Sequence, residues 1–223
     1  MGYWRSVEAI LKKDILTELR SREIFSSMFV FVLLVTLIFN FAFELRVEDV
    51  VKVAPGALWV AFAFAGILGL NRSFILEKDK GCLEGLLLAP VDRSAIFLGK
   101  WLGNITFMAF IELLTLPIFS ALFNINLFQP ALFLILLLGT FGFAGAGTLF
   151  AAIAVNTRAR EVMLPVLLFS ISIPIMISAV KATGVILDNS PLSEASNWIR
   201  LMVVFDVLFT AISLLTFEYV LEE

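Results

Sequence analysis

The sequence predicts an all-α integral membrane protein: six transmembrane helices, both termini cytoplasmic, and an amphipathic interfacial helix ahead of the first span. Three observations carry this. The 223 residues are 61% hydrophobic and 16% charged, with a mean hydropathy of +1.01, whereas a soluble domain is about half apolar and about a quarter charged. Six stretches are apolar enough, and close enough to about 20 residues, to cross a hydrocarbon core about 30 Å thick. Basic residues collect on alternate connections, which sets the orientation. A soluble enzyme or a nucleic-acid-binding domain is excluded by the first observation alone.

The elements follow in order. Residues 1–22 form the first unit. Trp4, Val7, Leu11, Ile15 and Leu19 recur at helical spacing, while Arg5, Lys12, Lys13, Glu18 and Arg20 lie mostly off that stripe. The pattern predicts an amphipathic helix lying in the interface. It lacks the apolar run and small-residue site of a cleaved signal. Residues 23–223 form the second unit, the membrane domain. Its spans lie near Ile24–Phe43, Val53–Leu70, Trp101–Phe123, Pro130–Val155, Val162–Ala182 and Trp198–Leu221. The head, the 71–100 connection and the connection after the fourth span hold 12 Lys and Arg residues, against 4 on the other side. The larger group belongs in the cytoplasm.

The cytoplasmic connection, residues 72–100, is the most informative segment. The second span is expected to continue as a charged helix to about Lys80. Gly81 suits a break and Pro90 a second stop. Between them Leu83, Leu86, Leu87 and Leu88 make a short amphipathic helix, and Asp92 can cap the helix that climbs into the third span. A short apolar helix held between two rigid ones suits contact with another protein; it also suits resting on lipid headgroups.

Glu77, Gly81, Leu83-Glu84, Leu86-Leu87, Pro90, Arg93 and Lys100 resemble the cytoplasmic signature of ABC-2 permeases. The run Ala54-Pro55-Gly56-Ala57-Leu58-Trp59-Val60-Ala61 narrows the resemblance to the CcmB family, the haem exporter B subunits of cytochrome c maturation. Leu138-Gly139-Thr140 with Gly142, Gly145-Ala146 and Gly147 is similar too, as are Leu164-Pro165-Val166-Leu167 and Ile173-Pro174-Ile175. The resemblance covers essentially the whole chain. It implies the ABC-2, type V exporter-like fold and a bacterial inner-membrane location. It also implies a complex with two copies of the ATPase CcmA, a second copy of this chain, and the membrane proteins CcmC and CcmD. ATP hydrolysis there serves release of the haem-loaded chaperone CcmE. This chain would be the non-catalytic subunit and bind no cofactor of its own; ATP and Mg belong to the ATPase, with haem as the candidate cargo of the complex. The ATPase contact would fall on Glu77, Gly81, Cys82, Leu83, Glu84, Gly85, Leu86, Leu87, Pro90 and Arg93.

The residues agree that nucleotide chemistry lies elsewhere. Gly99-Lys100-Trp101 is the one Gly-Lys pair, but Ser94 stands where a P-loop needs its first glycine and Trp101 where it needs a hydroxyl. The chain has no histidine and one cysteine, so a His-based metal site, a Ser-His-Asp triad and an internal disulfide are absent.

Within the spans, Gly139, Gly142, Gly145 and Gly147 read as close helix packing rather than a cofactor fingerprint. Glu112 in the third span and Asp206 in the sixth are intramembrane carboxyls, which usually face a bundle interior or water. They suit either a functional polar lining or a structural role, hydrogen-bonded to Thr115, Asn104 or a neighbouring helix. Two other readings stand beside the leading one: an ABC-2 permease exporting lipid, drug or polysaccharide, and an ATPase-independent transporter built on Glu112 and Asp206.

Overall fold

A computed structural model describes residues 2–44, 50–79, 81–155, 157 and 159–220. It is all-helical among these residues, with α1 (Tyr3–Ser21), α2 (Glu23–Glu44), α3 (Val50–Asp79), α4 (Cys82–Leu88), α5 (Arg93–Phe123), α6 (Pro130–Val155), α7 (Arg160–Leu187) and α8 (Leu192–Val220). Helices α2, α3, α5, α6, α7 and α8 are the six that can cross a membrane. In lipid only a helix satisfies its own backbone, so spans of this composition have no alternative.

The helices start and stop where capping chemistry allows, and hydropathy alone does not mark those points. The third span is apolar from Trp101, yet its helix begins at Arg93, because Asp92 accepts the Ser94 backbone N–H at 3.0 Å and caps it there. The second span likewise runs unbroken to Asp79. At about 1.5 Å per residue, α3 and α5 are each about 45 Å long and outreach a hydrocarbon core of about 30 Å. The C-terminal end of α3 and the N-terminal end of α5 lie at the same end of the bundle, with α4 between them.

Helix α6 is the axis of the bundle: it touches α3, α5, α7 and α8. Its glycines permit this. Gly139 faces the indole of Trp59, Gly147 the side chain of Leu70, Gly145 the indole of Trp101 and Gly142 the carboxyl of Asp206. A Cβ at Gly139, Gly142 or Gly147 would collide with those groups. Hydrogen bonds fix the two indoles: Trp59 Nε1 donates to Thr183 Oγ1 at 2.9 Å and Trp101 Nε1 to the Phe141 carbonyl at 3.1 Å. The glycine series is thus a packing surface, since helices in lipid gain their association from close approach.

The outer spans α2 and α8 turn most of their surface outward. Val30, Leu34, Ile38 and Phe41 of α2 are exposed, as are Val204, Val207 and Leu215 of α8. Apolar faces of this kind are at home in lipid.

Candidate functional site

The site grows from how α1 is held. The five-residue apolar stripe of the sequence does not form its protein-facing side. Val7 is buried, Leu11 and Ile15 are half-buried, and Trp4 and Leu19 are exposed. The buried face is Ser6, Val7, Ile10, Asp14 and Glu18, rotated from the stripe by roughly a quarter turn at about 100° per residue. Two acids therefore point inward, and apolar side chains remain on the outside.

Helix α5 accepts α1 through Gly99 and Gly103. A Cβ at Gly99 would lie 2.8 Å from Ile10 Cβ and 3.2 Å from the Val7 carbonyl; one at Gly103 would meet Asp14 at 3.6 Å. This is a small-x-x-x-small groove. At its head the Tyr3 hydroxyl meets Ser94 Oγ at 3.0 Å. At its foot the buried Glu18 carboxylate accepts the Phe25 N–H at 2.8 Å, holding the one-residue corner at Arg22 between α1 and α2.

The close approach assembles a ring of four charges. Lys100 of α5 is 1% exposed and sits 2.7 Å from Glu77 of α3 and 3.1 Å from Asp14 of α1. Lys13 closes the ring, pairing with Glu77 and lying 3.1 Å from Asp14. Two cations and two anions balance, which is the condition under which charges can be buried at all. The Lys100 ammonium also stands 5.4 Å from the centre of the Phe74 ring. Burial works against the Glu77 carboxylate, but Lys100 and Lys13 outweigh it and hold its pKa below the ordinary value. Burial likewise pulls Lys13 down, and Asp14 and Glu77 outweigh that and hold it above the ordinary lysine value. Beside the ring opens a cleft of about 120 Å³, whose walls include Thr17, Glu18, Ser73 and Cys82.

Helix α4 hangs from this junction. Gly81 adopts φ 67°, the left-handed conformation that breaks α3 from α4. Leu86 is half-buried against the core, while Cys82, Gly85, Leu88 and Pro90 are exposed and Arg93 is half-buried. The side chains of Leu83, Glu84 and Leu87 lie outside the described residues. Glu77 differs from the expectation that it faces a partner: its carboxylate turns inward, onto Lys100 and Lys13. The end of α3 is also tied to α6, since Lys78 Nζ donates to the Val155 carbonyl at 3.0 Å.

Of the ring, the sequence pointed to Glu77 and Lys100. Asp14 and the Gly99–Gly103 groove were missed, although a Gly-x-x-x-Gly pattern in an apolar helix was the available signal.

The intramembrane acids do not form one site. Glu112 accepts the Thr140 hydroxyl at 2.6 Å on one side of α6. Asp206 lies against Gly142 and has no hydrogen-bond partner among the described residues. Positions two apart on a helix point about 200° apart, so α6 stands between the two carboxyls. Thr115 and Asn104 instead bond to the Ile111 carbonyl and to Thr148.

The CcmB protein family model matches residues 5–221. The chain belongs to the CcmB family. With six helices able to cross a membrane, this CcmB-family chain is a multi-pass protein of the inner membrane. Heme exporter protein B of Rhodobacter capsulatus is 29% identical to it over 174 residues, 77% of this chain and 79% of that protein. That of Pseudomonas aeruginosa is 28% identical over 171 residues, 76% and 77% of the two chains. That of Haemophilus influenzae is 29% identical over 175 residues, again 76% and 77%.

Proposed function

We propose that this chain is the non-catalytic membrane subunit of a haem-exporting ABC transporter in cytochrome c biogenesis, converting nucleotide-driven movement of a partner ATPase into movement of its spans. One observation carries the reading. Helix α4 connects the ends of α3 and α5, and ion pairs join both of those to α1. A push on α4 would reach α1, α3 and α5 together, since moving one alone would expose a buried charge.

The partners follow from the family. Two copies of a CcmA-type ATPase, carrying the ATP and Mg, would seat against α4 and its neighbours in the cytoplasm. A second copy of this chain would complete the pair, with CcmC- and CcmD-type proteins beside it. Hydrolysis would drive release of haem-loaded CcmE. With no histidine in the chain, any haem contact it makes is not imidazole ligation.

The test is co-purification with the ATPase after Leu83→Asp/Leu87→Asp substitution. The expected result is a protein that still inserts in the membrane but no longer stimulates ATP hydrolysis. Full stimulation by the double variant would overturn the assignment of α4 as the contact.

A further inference from the structure

We propose that the groove between α2 and α5, at the α1 end of the bundle, holds one anionic phospholipid, with its phosphate on Arg22 and an acyl chain along the groove. The groove has a volume of about 360 Å³ and is lined by Leu19, Phe25, Phe29, Phe110 and Leu114, with Arg22 at its head. It is open to the side that lipid occupies: Phe110 is 46% exposed and Leu114 41%.

Its shape is held from within. Phe25 lies at 4.9 Å and tilted by 50° against Phe110, and edge-on at 5.3 Å to Phe107, which fixes the aromatic wall. The corner that carries Arg22 is fixed as well, because the buried Glu18 carboxylate accepts the Phe25 N–H and the Ser26 N–H bonds the Arg22 carbonyl. The pocket therefore does not have to form around its ligand.

Charge decides the occupant. Arg22 is exposed and has no ion-pair partner within 4 Å among the described residues. The nearby acids are engaged elsewhere: Glu18 with the Phe25 N–H, and Glu23 with Arg72 at 3.4 Å. From Arg22 the groove descends to Phe29, about 10 Å at the helical rise, so the guanidinium stands at headgroup level over an apolar slot. An arginine recognises phosphate through directed, charge-assisted hydrogen bonds, and basic pockets between spans are suited to anionic headgroups. The Ser26 hydroxyl on the same wall can add a donor.

The experiment uses the full chain, extracted in mild detergent, exchanged into phosphatidylglycerol or phosphatidylcholine, and analysed by native mass spectrometry. The wild type should retain one phosphatidylglycerol and much less phosphatidylcholine. Arg22→Ala should lower phosphatidylglycerol retention by about tenfold, the loss of one charge-assisted contact. Arg22→Lys should lower it less. Leu114→Trp, which fills the slot and leaves the arginine, should abolish retention, and Arg20→Ala should change nothing. Thermal melting of each variant separates loss of lipid from loss of fold. Equal retention of both lipids, no retention by the wild type, or equal loss in Arg20→Ala and Arg22→Ala would overturn the site.

Discussion

Lys100 Nζ and Glu77 Oε2 stand 2.7 Å apart, joining the helix that enters the third span to the helix that leaves the second. Asp14 and Lys13 of α1 complete the contact. The pair sits directly behind Gly81 and α4, so the segment best placed to receive a partner is backed by a buried, charge-balanced junction. An apolar junction would slide; removing a member of this one leaves the remaining charges unbalanced.

Replacing Lys100 by Met should therefore cost about 3–5 kcal/mol, because Glu77 and Asp14 then face each other with only Lys13 between them. The double variant Lys100→Met/Glu77→Gln leaves Lys13 with Asp14 and should recover most of that loss. Melting of the purified protein reads both. A double variant no more stable than Lys100→Met would show that the junction is not a balanced charge ring.

The same ring predicts a dependence on pH. Glu77 titrates below its ordinary value in the folded protein, so its contribution is fully present above that ordinary value and is lost as pH falls through the folded one. Lys13 titrates above its ordinary value, so its contribution is present below pH 10.5 and is lost as pH rises through its folded value. Melting temperature should thus fall steeply on the acid side in the wild type and less steeply in Glu77→Gln. Identical acid limbs for the two proteins would remove Glu77 from the account.

Gly99→Val should push α1 off α5, since even a Cβ there would lie 2.8 Å from Ile10. Overpacking of this kind costs about 1–3 kcal/mol, and here it falls on one helix. Limited proteolysis should cut within residues 3–21 of the variant while the spans stay protected. Gly85→Val, where a Cβ meets nothing within 4 Å, is the control and should leave cleavage unchanged.

The six-span membrane architecture is readable from the residues, because apolar length is a one-dimensional quantity. Six spans, the break at Gly81, the cap at Asp92 and the small-residue surface of α6 were all legible for that reason: each depends on local chemistry or on spacing along one helix. Family membership was legible as well, from runs such as Ala54–Ala61. Packing between helices settles which face of each one meets which neighbour. The stripe from Trp4 to Leu19 predicted an interfacial side for α1 and left open which other face meets protein. Gly99 and Gly103 offered a close approach, and α1 turned Ile10 and Asp14 toward them. The pairing of Asp14 with Lys100, 86 residues away along the chain, follows from that rotation. The separation of Glu112 from Asp206 follows instead from their packing on opposite sides of α6. Local propensity cannot encode such choices, since they are settled by steric fit between helices that meet only once the bundle has formed.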